Sequence, residues 1–181
     1  MENIDVAFEY FSLPDNINHL IADCREAGDE ICSRSGQGAI AEFEPADGRI
    51  SWNLLNSVVQ QADCKPVFCE WGSGLGLVTL MAATIGMDAT GIEIDEELVD
   101  LARGLSTQYA IPASFINASI YDSNPPINYM EVDLFFAYPW PAQIARTMAL
   151  FRQVAASGAI LICYHGGRNY RVVRRQDIHP R

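Results

Sequence analysis

The sequence predicts an α/β protein: an open, doubly wound, mostly parallel sheet of about six strands with helices on both faces. Three observations predict it. An apolar strand, Val67-Phe68-Cys69-Glu70-Trp71, runs into the glycine-rich turn Gly72-Ser73-Gly74-Leu75-Gly76, and the following Leu75 to Ile85 contains neither Pro nor charge, as a buried helix would. A second apolar run, Ala89 to Ile94, returns soon after and closes a β–loop–α–β unit. From there strand-like and helix-like segments alternate, with strands at 66–70, 89–94, 113–117, 132–137 and 158–164 and helices at 75–86, 95–108 and 141–156.

Each element has a local reason. Asp15 to Arg34 begins on a capping residue and spaces Ile17, Leu20, Ile21, Cys24 and Ala27 as one helix face, and Ser35-Gly36-Gln37-Gly38 stops it. The loop Phe43-Glu44-Pro45-Ala46-Asp47-Gly48 leads into a helix from Arg49 to Gln61, with Trp52, Leu55, Val58 and Val59 turned to a sheet. Helix 95–108 opens Asp95-Glu96-Glu97, acids at the positive end of its dipole, and Pro141 sits where a first helical turn tolerates proline. After the strand ending at Tyr164 there is room for one more, near Tyr170 to Arg174, so the C-terminal edge is expected to be short. One domain is expected over 1–181, with 1–64 a helical lead-in and 65–181 an α/β core.

Composition excludes several classes. No run of about 18 uncharged apolar residues occurs, and MENIDVAFEY lacks a basic segment before an apolar one, so a cytoplasmic protein without membrane span or signal peptide is expected. Five cysteines (24, 32, 64, 69, 163) form no CxxC pair and are expected as buried thiols, and no metal site is expected. With 12 basic and 23 acidic residues the net charge is −11, yet His165 to Arg181 holds five arginines against one aspartate. The remaining body carries a balance of −15, which repels phosphate backbones and disfavours nucleic acid as a partner. The basic tail reads as a solvated edge strand.

The glycine turn suits a nucleotide-like ligand, because glycine permits positive φ and leaves no Cβ between backbone and ligand, and main-chain N–H donors then become reachable. A P-loop reading fails: it needs GxxxxGK[ST], and the only lysine, Lys65, precedes the turn. The nicotinamide pattern GxGxxG lacks its third glycine in both frames, and the GxSxG elbow fails because Trp71 and Leu75 flank Gly-Ser-Gly. What fits is Glu70-Trp71-Gly72-Ser73-Gly74-Leu75-Gly76, of the form E-x-G-x-G-x-G, with a carboxylate, Glu93, about 20 residues on from the glycines.

With these motifs the chain resembles the class I, Rossmann-like S-adenosylmethionine-dependent methyltransferases over roughly residues 65 to 165. The resemblance implies S-adenosyl-L-methionine as cofactor, with Gly72, Ser73, Gly74 and Gly76 passing under its methionine and ribose. It implies that Glu70 orients the amino-acid end, that Glu93 binds both ribose hydroxyls beside Ile94, and that Ala118 and Ser119 meet the adenine. Asp95 rivals Glu93, but reads as a helix cap. The segments FEPAD, EWGSGLG, GIEID, AYPWP and YHG together look like a group of small bacterial proteins classed as methyltransferases without named substrates.

Tyr138-Pro139-Trp140-Pro141 ends strand 132–137 where amino-directed methyltransferases carry an Asn/Asp-Pro-Pro-aromatic motif, and Tyr138 removes its amide acceptor. Phe43-Glu44-Pro45-Ala46 resembles the lead-in of seven-strand lysine methyltransferases, which implies an amine acceptor such as a protein lysine. Tyr138, Pro139 and Trp140 are expected at the transfer site, and His165 as a proton acceptor or a turn residue. The acceptor, protein or small molecule, stays unidentified. A non-catalytic cofactor-binding or interaction module is the alternative, an NAD-dependent oxidoreductase a more distant one, and a shortened sheet edge would suit a homodimer.

Overall fold

The computed structural model describes residues 1–6, 9–34, 46–60, 65–166 and 169–176. Its elements are β1 (Glu2–Asn3), α1 (Asp15–Arg34), α2 (Gly48–Val59), β2 (Val67–Trp71), α3 (Leu77–Thr84), β3 (Asp88–Glu93), α4 (Glu96–Gln108), β4 (Ser114–Asn117), β5 (Leu134–Ala137), α5 (Ile144–Val154), β6 (Ile160–Tyr164) and β7 (Tyr170–Arg174). Short 3-10 turns at Tyr129–Glu131 and Pro141–Gln143 precede β5 and α5. The strands form one sheet in the order β1-β7-β6-β5-β2-β3-β4. Strands β4, β3, β2, β5 and β6 are parallel, and β7 runs antiparallel to both its neighbours. The sheet thus has seven strands rather than about six. The extra one is the pair Glu2–Asn3, too short to register as a periodic pattern, which borders β7 and is extended by Ile4 N–H donating to Val172 O.

The period-two alternation of buried strands sorts side chains onto two faces. Phe68, Leu134, Phe136 and Ile162 pack under α1 to α4, against Ile17, Leu20, Leu55, Leu80 and Val99. Cys69, Trp71, Phe135, Leu161 and Cys163 face α5. There Trp71, Tyr129, Phe135 and Phe151 form a chain of edge-on and tilted rings, with Trp71 and Phe135 centroids 4.8 Å apart. Cys24, Cys69 and Cys163 are buried as expected, whereas Cys32 lies exposed on the polar side of α1, and Cys64 lies outside the described residues. No described helix is long and apolar enough to cross a membrane.

The chain leaves β2 toward β3 and β4, then returns to place β5 on the other side of β2. This makes the carboxyl ends of β2 and β5 the topological switch point, where two connections diverge and leave a crevice. Gly76 keeps that crevice's floor in place. It sits at φ +76°, and a Cβ on it would lie 2.4 Å from Phe115 Cε1, so only glycine lets α3 start against β4. Gly72 shares the positive φ, +74°, but no described atom lies within 4 Å of where its Cβ would point. Gly72→Ala should therefore cost only the left-handed backbone term, about 1–2 kcal/mol. Gly76→Ala should cost a further ~1–3 kcal/mol of overpacking. Urea unfolding of both variants checks this, and equal midpoints would show that the Phe115 contact is not what demands glycine at 76.

Candidate functional site

The glycine turn is folded back on the sheet by its own amides. Gly72 and Ser73 N–H both donate to Ile92 O, at 2.9 and 3.0 Å, and Gly76 N–H donates to Ser73 O at 2.7 Å. Gly91 allows the close approach: a Cβ there would lie 2.8 Å from the Ser73 side chain. Two carboxylates hold what remains. Glu93 Oε2 accepts from Gly74 N–H at 2.9 Å, and its Oε1 accepts from Ile94 and Asp95 N–H at 2.7 and 3.0 Å. Glu70 Oε2 accepts from Thr79 N–H at 2.8 Å and from the Thr79 hydroxyl at 2.5 Å. Gly76, the residue that caps α3, has no side chain to do this, so Glu70 caps the helix from the preceding strand.

This differs from the expectation that the turn presents free N–H donors. The amides of Gly72, Ser73, Gly74 and Gly76 are all satisfied within the protein. The turn therefore offers a shaped, Cβ-free surface. Glu93 is also partly committed: with three N–H groups on its two oxygens, about one of its four lone-pair sites, on Oε2, is left for a ligand hydroxyl. Asp95 is a cap, its Oδ1 accepting from Glu97 and Leu98 N–H. Asn117 braces this corner by donating from Nδ2 to Glu93 O and Ile94 O.

Above the turn lies a cavity of about 860 Å³. It falls in the range of small-molecule sites, ~300–1,000 Å³. Of the residues the sequence singled out, Glu70, Gly72, Ser73, Gly74, Glu93, Ile94, Ala118, Ser119, Tyr138, Pro139 and Trp140 line it. Gly76 and His165 do not. Gly76 serves packing, as above. His165 follows Tyr164 beyond the cavity wall, its N–H donates to Asn169 O, and partial burial beside Arg171 lowers its pKa. Phe43, Glu44 and Pro45 lie outside the described residues, while Ala46 reaches the cavity.

Glu70 is strongly perturbed by its burial in the wall. It is 4% exposed, and burial pushes its carboxyl up to about 8, against the opposing pull of both Thr79 hydrogen bonds, with Glu93 adding repulsion. Beside it, burial first and then Asp23 and Glu70 push the Cys24 thiol up to about 12, so it is an inert wall atom. Ser73 Oγ is buried and meets no partner among the described residues. At the far end Tyr138 and Tyr164, side by side on β5 and β6, stack with centroids 3.9 Å apart at 12°, and Tyr170 packs obliquely on both. Motif reading missed Tyr121, Gln143, Arg146 and Thr147, which also line the cavity. They lie in a loop, a 3-10 turn and a helix without motif, and three of the four are polar, so no local pattern marks them as a cavity wall.

No protein-family model matches the sequence, and no curated protein matches it. Solved structures do. An RNA methyltransferase from Salinibacter ruber, crystallised with S-adenosyl-L-homocysteine, superposes with a TM-score of 0.56 at 18% identity, over 70% of this chain and 93% of that one. A candidate caffeoyl-CoA O-methyltransferase from Staphylococcus aureus gives 0.58 at 18% identity, over 82% of this chain and 72% of the other. A protein from Corynebacterium glutamicum gives 0.64 at 14% identity, over 84% and 68%. Others are longer, and the chain spans only 53% and 47% of two of them. Strand order, crevice and these likenesses agree: the chain has the α/β fold of the Rossmann-like methyltransferases.

Proposed function

We propose that this chain is an S-adenosyl-L-methionine-dependent methyltransferase. The observation that carries the reading is the crevice itself: Gly72 leaves open space where a Cβ would stand, between a buried carboxyl on β2 and a carboxylate at the end of β3. That pair of acceptors fits a ligand with a cationic amino-acid end and a sugar diol. When bound, S-adenosyl-L-methionine supplies an activated methyl group on a sulfonium. The protein's part is to hold and to exclude. Glu93 Oε2 accepts one sugar hydroxyl, Ile94, 71% exposed, offers an apolar face to the base, and Ala118 and Ser119 close the adenine end.

Tyr138, Pro139 and Trp140 wall the acceptor end, and two prolines hold that segment with little entropy left to lose. Positioning within a water-poor wall supplies most of the rate in a displacement of this kind. An amine acceptor, such as a lysine side chain, suits the acidic body and the tyrosine faces, since ring faces attract the charge that grows on nitrogen. The alternative, a non-catalytic binding module, is favoured by one observation: His165 stands outside the cavity. Intact-mass and tritium-transfer assays on lysate with labelled cofactor decide, and methyl incorporation above a Gly72→Val control excludes the module.

Calorimetry with S-adenosyl-L-homocysteine tests the cofactor site. Glu93→Ala should weaken binding by about 1–3 kcal/mol, roughly 5- to 150-fold, through the lost charged hydrogen bond. Undiminished affinity would remove Glu93 from the site.

Glu70 makes binding and stability depend on pH in opposite senses. Without ligand, its carboxyl titrates near 8 when folded against 4.5 in the unfolded chain, so its stabilising contribution is whole below 4.5 and fades as pH rises through 8. The melting temperature should fall across that window, and less so in Glu70→Gln. A ligand ammonium beside Glu70 favours the carboxylate, so binding releases a proton. Homocysteine-nucleoside affinity should then rise between about pH 6 and 8, and Glu70→Gln should flatten that rise. A slope unchanged in the variant would place the ligand's amino group elsewhere.

A further inference from the structure

The cavity is electrically lopsided. Glu70, Glu93 and Asp95 line its cofactor side, and Arg146, exposed at the mouth on the first turn of α5, is the only cation among the described lining residues. Arg146 lies over the Tyr121 ring, its guanidinium carbon 3.6 Å from the ring centroid. Tyr121 is itself pinned at both ends. Its N–H donates to Ser119 Oγ at 3.2 Å, and its hydroxyl meets Thr147 Oγ1 at 3.2 Å. Because the Thr147 hydroxyl proton goes to Gln143 O, the Tyr121 O–H is the donor in that pair. A ring fixed this way fixes where the guanidinium above it sits.

Stacking consumes the flat face of a guanidinium and leaves its N–H donors, which lie in the plane. Among the described residues those donors meet no acceptor, and Arg146 makes no ion pair, although the chain holds 23 acidic residues to 12 basic ones. A preorganised planar fork at a cavity mouth, without a protein carboxylate on it, matches a planar or tetrahedral oxyanion. The acids across the cavity set a limit on what can follow: a polyanionic backbone is repelled, a single charged group is not.

We propose that Arg146, held over the Tyr121 ring, is a specificity-determining subsite that takes one carboxylate or phosphate group of the methyl acceptor. This rests on the methyltransferase reading above. An acceptor with its reacting nitrogen beside Tyr138 and its acid group on Arg146 is read at both ends, so a bare amine is bound less well than one carrying an anionic arm.

The test is NMR of the full ¹⁵N-labelled chain saturated with S-adenosyl-L-homocysteine, titrated with benzoate, phenyl phosphate and benzylamine. Either anion should shift the Arg146 Nε–Hε signal and the Gln143 and Thr147 amides saturably, and the tighter of the two identifies the group. Benzylamine should leave the Arg146 signal in place. Anion affinity should fall about 10-fold or more in Arg146→Gln, the order expected for a charged hydrogen bond, and also in Tyr121→Leu, which keeps the charge but removes the platform. Homocysteine-nucleoside affinity should be unchanged in both variants. The subsite is overturned by an absent or unsaturable shift, by equal anion affinity in Arg146→Gln, or by an equal response to benzylamine. It is also overturned if Arg146→Gln weakens the homocysteine nucleoside, since Arg146 would then belong to the cofactor. If the wild-type chain does not bind that nucleoside at all, the enzymatic reading fails, and the anion titration on the unliganded protein still reads the subsite by itself.

Discussion

Two glutamate side chains clamping one glycine turn are the constraint on which the rest of the site depends. Glu93 holds the middle of the turn through Gly74 and turns the chain into α4 through Ile94 and Asp95. Glu70 holds its far end through Thr79 and so starts α3. Each group is at once structural and chemical. A buried backbone N–H needs an acceptor, and a glutamate oxygen reaching in from the end of a strand supplies one, which is why the turn can dispense with every side-chain cap of its own. The arrangement leaves the upper side of the turn bare, and bareness is what a ligand lying across backbone requires.

The same clamp explains why a carboxyl is tolerated at the end of a strand that is otherwise a core strand. Isolated, a buried carboxylate is costly, and Glu70 answers by keeping its proton to about pH 8. Two donors from Thr79 reduce that cost without removing it. The site is thus left with a group that changes charge in the physiological range, next to a cavity where a cation would tip it. Glu93, half-buried and already carrying three amides, has its orientation set by the backbone around it.

How much of this was legible in the sequence depends on whether the signal was local. The helix Asp15–Arg34 falls where its apolar period and the glycines after it place it, and the strand Tyr170–Arg174 where the room left after β6 places it. The glycine turn and its two acids were readable as motifs. Glu2–Asn3 was not, since a two-residue strand has no period and exists only because β7 offers it an edge. Gly76 was read as part of the ligand floor, yet its neighbour is Phe115, almost forty positions along, and no local pattern announces such a contact. Tyr121 and Arg146 were missed likewise: a loop residue and a helix residue become a pair only once β4 and β5 stand two strands apart with β2 and β3 between them.

That division has a physical origin in how the cavity is built. Its floor comes from strand ends, backed on one face by the aromatic chain of Trp71, Phe135 and Phe151 and on the other by α1 to α3, so it has little freedom to vary without loss of core packing. Its rim comes from the loop after β4, the β5–α5 connection and the start of α5, where Tyr121, Trp140 and Arg146 are partly or wholly exposed and Arg146 lies over the Tyr121 ring. Substitution at the floor should therefore be felt as stability, and, under the proposed function, substitution at the rim as choice of ligand. A motif marks the floor because packing and cofactor shape both restrict it. Under the proposed function the acceptor would be selected at the rim, where ring faces and one guanidinium from residues without a motif would do the discriminating.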